Sequence, residues 1–261
     1  MLSKLLKYDL RKNMRWMWVL FVATIVLSAL TRGVKELGEN VAFFKMVGVV
    51  FEGVFYGLAV NVIIQPFLRN FLNFYKSFYS DESYLTHTLP VTKNQLINSK
   101  YLTALIEMLA GFACLVVSIL IMYAGPGFID GIRLILSMVI SGEVSVVLSV
   151  ILFVVLVIVE FLMFISIIDF SIVKAFQEKD KRILKAFLIT AACSFAALAV
   201  LSVVLISVLI INGVEISSTI LVIPSSAFYS VIATGIVIYL AVVVLFYFLT
   251  KREFNKGVNV D

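Results

Sequence analysis

The chain has 261 residues, of which 62% are hydrophobic and only 14% charged, and its formal net charge is +5. A soluble domain carries roughly 25% charged residues, and its interior could not hold this much apolar surface. The composition therefore excludes a soluble globular protein, and its Phe, Val, Ile and Leu content excludes a disordered chain. Cys114 and Cys193 lie in apolar stretches without partner spacing, so neither a disulfide framework nor a cysteine metal site is expected.

The first segment, residues 1–15, is predicted to form an amphipathic helix. Leucines face one side, while Lys4, Lys7 and Arg11 mostly face the other. Such a helix lies in the headgroup layer, where its basic face is attracted to anionic lipid. We therefore expect an interfacial helix that leads into the first span, not a cleaved secretory signal. Trp16 and Trp18 would then lie at the boundary between water and lipid.

Six apolar stretches approach or meet the roughly 20 residues that a helix needs to cross a bilayer. Their long runs rich in Val and Ile do not alternate as the strands of a membrane barrel do, which favours helices. The sequence thus predicts an all-α polytopic membrane protein with six transmembrane helices. The predicted spans are Trp16–Leu30, Phe43–Ile64, Tyr101–Ala124, Val144–Ile168, Phe187–Ile211 and Phe228–Thr250.

The distribution of basic residues predicts the orientation. All but four of the 21 Lys and Arg residues lie at the N-terminus, between spans two and three, between spans four and five, or after the last span. The exceptions are Arg32, Lys35, Lys45 and Arg133. The positive-inside rule therefore places both termini and the two larger loops in the cytoplasm. Topology accounts for the net positive charge, so we expect no nucleic-acid partner.

These patterns predict a single transmembrane domain over residues 1–261. Its parts are the interfacial helix (1–15), helices one and two (16–64), a cytoplasmic loop (65–100), helices three and four (101–168), a second cytoplasmic loop (169–186), helices five and six (187–250) and a cytoplasmic tail (251–261).

The loop between spans two and three carries the most informative polar pattern. The second helix is expected to continue beyond Gln65-Pro66 as an apolar stripe at helical spacing. Ser80-Asp81-Glu82-Ser83 then favours a new helix start, and Leu89-Pro90 ends that short helix. Thr92-Lys93-Asn94-Gln95 matches the capping box that opens the next helix. A helix this short is not stable alone, so we expect a partner to hold it.

The external segment from Gly125 to Gly142 is also unusual for a loop. It contains Pro126 and the apolar run Ile132–Leu136, which is too short to span a bilayer. This pattern predicts an interfacial or re-entrant helix.

Enzyme motifs are missing from the sequence. It has no GxxxxGK[ST] phosphate loop and no GxSxG elbow, and its one histidine, His87, leaves no histidine cluster for a metal. We therefore expect no catalysis by this chain alone.

Four polar residues fall inside the predicted spans and form a candidate intramembrane polar site: Glu52, Asn61, Glu107 and Glu160. Ionisable groups within a bilayer are costly and mark function or pairing by default. One interpretation is a proton or cation path. The other is that Glu107 and Glu160 lie near enough to the cytoplasmic face to reach water or to pair with a loop lysine.

The loop sequence resembles a known family. The stretch Tyr79–Thr92, followed by Gln95-Leu96-Ile97 and Ser99-Lys100, is similar to the hallmark loop of type-2 ABC transporter permeases, the membrane subunits of small bacterial exporters. The opening residues, Leu2 and Lys4–Lys12, and the closing residues, Lys251, Arg252 and Asn255, also resemble the ends of these permeases.

This resemblance implies that the short helix between spans two and three is a coupling helix that docks in a groove of a cytoplasmic ATPase. Asp81 and Glu82 would form ion pairs with the ATPase, and Tyr84, Leu85 and His87 would pack against it. The implied coupling surface comprises Ser80, Asp81, Glu82, Tyr84, Leu85, His87, Leu89 and Pro90.

The resemblance further implies a complex of two permeases, identical or related, with two ATPase subunits in the bacterial cytoplasmic membrane. ATP and Mg would bind to the ATPases, and this chain would hold no cofactor. The exported substrate would be a hydrophobic or amphipathic peptide, lipid or drug. An alternative is an ion-coupled secondary transporter that uses the intramembrane carboxylates, and a more remote one is a membrane-embedded assembly or sensor protein without transport.

Overall fold

A computed structural model describes residues 2–38, 41–80, 83–88, 90–123, 127–141, 145–177, 181–214 and 223–256. Within these ranges the side chains of residues 85–87, 138, 139 and 141 lie outside the description. The chain divides into two compact units, Met1–Gly125 (unit 1) and Pro126–Asp261 (unit 2).

Unit 1 consists of three long helices and one short one. They are α1 (Leu2–Gly38), α2 (Ala42–Tyr79), α3 (Ser83–Thr88) and α4 (Lys93–Tyr123). α1 packs against both α2 and α4, α2 packs against α4, and α3 packs against α2. The predicted continuation of the second helix beyond Pro66 is confirmed, because α2 runs unbroken to Tyr79.

The first helix is longer than a membrane span. The predicted N-terminal helix and the first span form one continuous helix of 37 residues, about 55 Å long at 1.5 Å per residue. The hydrocarbon core of a bilayer is about 30 Å thick, so α1 extends well beyond it or tilts within it. The buried side of α1 recurs every three to four residues, as one face of a helix must. That face consists of Asp9, Asn13, Met17, Phe21, Thr24, Ser28 and Thr31.

Unit 2 repeats the arrangement of three long helices. Its elements are α5 (Phe128–Val139), β1 (Ile140–Ser141), α6 (Val146–Ala175), α7 (Arg182–Ile211), β2 (Ile223–Pro224) and α8 (Ser225–Asn255). α6 packs against α7 and α8, and α7 packs against α8. β1 and β2 are two residues each and pair in parallel, with Ile140 opposite Ile223, a contact that the sequence did not predict.

The core of unit 2 is apolar. It is built from side chains of all three long helices: Val159, Met163, Ile167, Leu201, Tyr239 and Phe246. Leu201 is the buried residue that α7 contributes; most of the other apolar side chains of α7 are exposed. A helix that is apolar on its outer face suits lipid as its surroundings.

Within the described residues, six helices are long and apolar enough to cross a membrane: α1, α2, α4, α6, α7 and α8. The predictions of an all-α fold and of six apolar spanning helices are therefore confirmed, and the chain has the features of a multi-pass membrane protein. α5 confirms a helix in the segment after Gly125. Its position relative to the bilayer, the interfacial position of residues 1–15 and the cytoplasmic location of the termini stay predictions.

Candidate functional site

The short helix α3 lies between the long helices α2 and α4 and packs against the end of α2. The backbone N–H of Ser83 donates to the carbonyl of Ser80 over 2.8 Å, and Ser83 is buried. The next residue, Tyr84, is 75% exposed. α3 is thus attached to unit 1 through its first residue while Tyr84 points away from the unit.

The predicted coupling surface is described only in part. Ser80 is half-buried where α2 ends, Tyr84 is exposed on α3 and Pro90 is exposed after it. The backbone of Leu85 and His87 lies in α3, but their side chains are outside the description. Asp81, Glu82 and Leu89 lie outside the described residues.

The predicted capping box is confirmed at the start of α4. The backbone N–H of Gln95 donates to Oγ1 of Thr92, and the backbone N–H of Thr92 donates to Oε1 of Gln95, each over 3.3 Å. This reciprocal pair satisfies two N–H groups that a helix start leaves without intrahelical partners. It fixes where the chain re-enters a long helix after α3.

Two turns into α4, a buried ion pair connects the three long helices of unit 1. Nζ of Lys100 lies 2.8 Å from Oδ1 of Asp9 on α1 and 3.0 Å from Oγ of Ser77 on α2. The hydroxyl of Ser99 donates to the other carboxylate oxygen of Asp9 over 2.8 Å. The side chains of Lys100 and Asp9 are only 8% and 10% exposed. Because a buried charge is tolerated only when it is paired and hydrogen-bonded, α1, α2 and α4 must keep this register.

The loop residues 80–92 begin and end close to this ion pair. Ser77 precedes the end of α2 by two residues, and Lys100 follows Thr92 by about two helical turns. Asp9 joins them from α1. A displacement of the loop would therefore act on a polar cluster that holds all three long helices.

A second polar layer lies one turn deeper along α1. Nδ2 of Asn73 on α2 donates to the side-chain oxygen Oδ1 of Asn13, which is buried, while Asn73 is half-buried. Glu107 on α4 is fully buried next to Asn13 and Arg69, and its oxygens form no hydrogen bond of standard geometry with the described residues.

Glu52 belongs to a different region of unit 1. Its Oε1 lies 2.9 Å from Nζ of Lys35 and accepts hydrogen bonds from the hydroxyls of Tyr123 (2.6 Å) and Tyr56 (3.0 Å). Tyr123 is 16 residues beyond Glu107 on α4, so the two carboxylates are separated by about 24 Å along the helix. Asn61 donates to the carbonyl of Gly57 in its own helix. The candidate residues of unit 1 therefore do not form one cluster.

Glu160 is half-buried on α6 of unit 2, where it interacts with Tyr239 of α8. Beyond the predicted sixth span, Glu253 has its Oε1 2.6 Å from Nζ of Lys256 and its Oε2 3.7 Å from Nζ of Lys174. Nε2 of Gln177 donates to the Glu253 carbonyl over 3.0 Å. The hydrogen bond from Lys256 holds the pKa of Glu253 below its usual value.

Asp9, Asn13 and Lys100 were not among the predicted site residues. Asp9 stands among basic residues in the N-terminal segment, and Lys100 was interpreted as part of the basic loop. The spacing of Asp9, Asn13 and Met17 at four-residue intervals places them on one helical face. That spacing was the available signal that a carboxylate and an amide face the interior.

Comparisons of this chain with protein families, curated proteins and solved structures gave no match.

Proposed function

We propose that this chain is the membrane-spanning permease subunit of an ATP-driven exporter that is powered by a separate ATPase. The observation that carries the proposal is α3, a six-residue helix placed between two long helices with Tyr84 turned outward. It occurs at the position where the resemblance to type-2 ABC permeases implies a coupling helix.

The position of α3 along the bundle supports this proposal. α2 continues 15 residues past Ile64, the end of the predicted second span, and reaches Tyr79. At 1.5 Å per residue this extension is about 22 Å long. α3 would therefore stand clear of the hydrocarbon region, where a water-soluble ATPase can contact it.

The buried ion pair supplies a route from α3 to the spans. A partner that moves α3 would pull on the end of α2 and the start of α4, and Asp9 and Lys100 join these segments to α1. A conformational switch requires contacts that differ in free energy between two states. A buried ion pair beside the docking helix is suited to that role, because small changes in its geometry are energetically costly.

The experiment is to purify the affinity-tagged full chain in mild detergent from its natural host and to measure Mg-dependent ATP hydrolysis in the eluate. The test variant is Tyr84→Asp. Tyr8→Asp is the matched control, because Tyr8 is also an exposed tyrosine of unit 1 at 65% exposure but lies on α1. We expect ATPase activity to co-elute with the wild type and with Tyr8→Asp and to be lost with Tyr84→Asp. Glu82→Arg tests the implied ion pairs in the same assay.

Absence of ATPase activity from the wild-type eluate, or equal activity in the two tyrosine variants, would overturn the exporter proposal. One observation favours the alternative of an ion-coupled transporter, namely the buried carboxylate of Glu107. Proton flux into proteoliposomes without ATP, if it disappears in Glu107→Gln, would establish that alternative.

A further inference from the structure

A cavity of about 330 Å³ opens between α1 and α2 of unit 1. Three basic side chains line it, Lys12 from α1 and Arg69 and Lys76 from α2. No acidic side chain is among the described residues that line it. A pocket with three cations and no anion attracts a negatively charged ligand.

Arg69 provides a second indication of a ligand. Its guanidinium carbon lies over the ring of Trp16, 6.0 Å from the centroid, so Arg69 of α2 interacts with a residue of α1. Its Nε–H is buried and has no hydrogen-bond partner within the described part of the chain. The buried carboxylate of Glu107 lies near Arg69 but accepts no hydrogen bond from its Nε–H. A buried donor without an acceptor is costly, and a phosphate oxygen in the cavity would satisfy it, because guanidinium groups bind phosphate through paired N–H groups.

The height of the cavity along α2 fits a lipid headgroup. Arg69 is five residues beyond Ile64, the end of the predicted span, and this boundary would place it about 7 Å outside the hydrocarbon core. The headgroup and interfacial layer on each side of a bilayer is roughly 5–8 Å thick. Lys76 lies two turns further out, about 18 Å beyond Ile64 along α2. Side chains of a helix tilt toward its N-terminus, so the ammonium group of Lys76 is directed back toward this layer.

Besides the basic residues, the cavity is lined by three amide side chains, Asn13, Gln65 and Asn73, and by three apolar side chains, Trp16, Leu68 and Leu72. The three apolar side chains are each about half exposed or more. Free phosphate gains nothing from these apolar side chains, whereas a phospholipid can place an acyl chain against them. An indole is also favoured at the level of the headgroups.

We propose that this cavity binds the anionic headgroup of a phospholipid. The phosphate contacts Arg69 and Lys76, and an acyl chain lies against Trp16 and Leu72. Basic pockets between membrane helices are known to take such headgroups. This binding site is independent of the proposed ATPase partner, because it requires only unit 1 and a bilayer.

The experiment is native mass spectrometry of the full chain, released from membranes that contain equal amounts of phosphatidylglycerol and phosphatidylcholine. Both lipids carry phosphate, but only the first has a net negative charge. The test variant is Arg69→Gln/Lys76→Gln. The matched control is Lys251→Gln/Arg252→Gln, which removes one Lys and one Arg of α8 that lie outside the cavity.

We expect the wild type to retain one phosphatidylglycerol molecule in preference to phosphatidylcholine. A basic residue near an anionic lipid contributes about a fivefold preference for that lipid. The test variant removes two such residues, so its preference for phosphatidylglycerol should fall about 25-fold, while the control variant should keep most of the wild-type preference. Size-exclusion chromatography and circular dichroism establish that both variants are folded.

Two outcomes would overturn the proposal. If the control variant loses the preference for phosphatidylglycerol to the same extent, the lipid is attracted by basic residues in general and not by this cavity. Displacement of the lipid by inorganic phosphate, with tight binding of phosphate to the delipidated chain, would identify free phosphate as the ligand.

Discussion

The two units are both built from three long helices, but different interactions hold them together. In unit 1, a buried network of Asp9, Ser77, Ser99 and Lys100 joins α1, α2 and α4 at one end. In unit 2, the contacts among α6, α7 and α8 form an apolar core, and the ion pairs of Glu253 involve lysines that are about half exposed. Unit 1 also has an apolar cluster, which includes Met17, Phe21 and Val62, and α6 of unit 2 also buries a carboxylate, Asp169. The comparison therefore shows that unit 1 adds a polar network between its helices to apolar packing, while the described contacts among the helices of unit 2 are mainly apolar.

This difference has a consequence for function. Apolar helices can slide or rotate against each other at low cost when lipid replaces a lost neighbour, because lipid tails are as apolar as the helices. A buried ion pair allows no such exchange. The helices α1, α2 and α4 are therefore held in a fixed alignment next to the loop that carries α3. A helix that docks on a partner needs such a fixed base.

The largest expected effect is on the ion pair of unit 1. Asp9→Asn leaves the buried ammonium group of Lys100 without its carboxylate, and we expect a loss of about 3–5 kcal/mol in the free energy of unfolding. The double variant Asp9→Asn/Lys100→Met removes both charges and should recover most of that loss. The measurement is chemical unfolding in detergent micelles.

The matched control for this prediction is Arg133→Gln in unit 2, where Arg133 and Asp130 form an ion pair that is 70% and 74% exposed. Exposed pairs contribute little, so no measurable change is expected. Two results would contradict the role of the ion pair in unit 1. One is a free energy of unfolding for Asp9→Asn equal to that of the wild type. The other is a loss in the double variant as large as the summed losses of Asp9→Asn and Lys100→Met.

A smaller difference in stability is expected between alanine substitutions at two glycines that lie at helix contacts, Gly111 in unit 1 and Gly235 in unit 2. In unit 1, a Cβ on Gly111 of α4 would lie 3.3 Å from the carbonyl oxygen of Val62, a rigid backbone atom of α2. In unit 2, a Cβ on Gly235 would meet the end of the Leu156 side chain at 3.1 Å, which can rotate away. We expect Gly111→Ala to destabilise unit 1 by about 1–2 kcal/mol. Gly235→Ala should be nearly neutral, since alanine also favours the helix.

Pro66 bears on the prediction for Gly111, because it removes the intrahelical hydrogen bond of the Val62 carbonyl. In a regular helix this carbonyl would accept the N–H of residue 66, but proline has no N–H. Thermal unfolding of the two alanine variants, each against the wild type, makes the measurement. Equal losses of stability in Gly111→Ala and Gly235→Ala would contradict the prediction, because they would show that a methyl group at the helix contact has the same cost in both units.

The smallest effect concerns pH and Glu253 of unit 2. Its pKa in the folded chain is lowered below the usual 4.5, chiefly by the hydrogen bond from Lys256. Its contribution to stability is therefore present above about pH 4.5 and is lost as the pH falls through the lowered pKa. We expect Glu253→Gln to be less stable than the wild type near pH 7, by less than about 1 kcal/mol because both lysines are half exposed. Unfolding temperatures measured from pH 7 to pH 3 should converge at the acid end, and a constant difference would contradict the assignment.

Much of the local structure could be predicted from single positions. The continuation of α2 past Pro66 follows from its apolar stripe, and the start of α4 follows from Thr92 and Gln95, whose hydrogen bonds form as expected. The short helix α3 was expected over residues 80–89 and is found at Ser83–Thr88. These predictions succeed because caps, prolines and periodicity act between residues that are near each other in sequence.

The candidate intramembrane site was less predictable. Glu52, Glu107 and Glu160 all attract notice as carboxylates in apolar stretches, but their partners come from other helices. Lys35 and Tyr123 surround Glu52 from α1 and α4, and Tyr239 reaches Glu160 from α8. The parallel pairing of Ile140 with Ile223 was equally invisible, since it joins residues more than 80 positions apart.

The sequence by itself determined that this is an all-helical membrane protein with six apolar spans and a short helix after the second. Hydropathy and helix signals are local, and lipid leaves a chain this apolar few alternatives. Only the tertiary structure decided that Asp9 meets Lys100 and that a basic cavity lies between α1 and α2. Those contacts depend on how long helices are rotated and aligned against each other, and one residue of slippage would separate the charges.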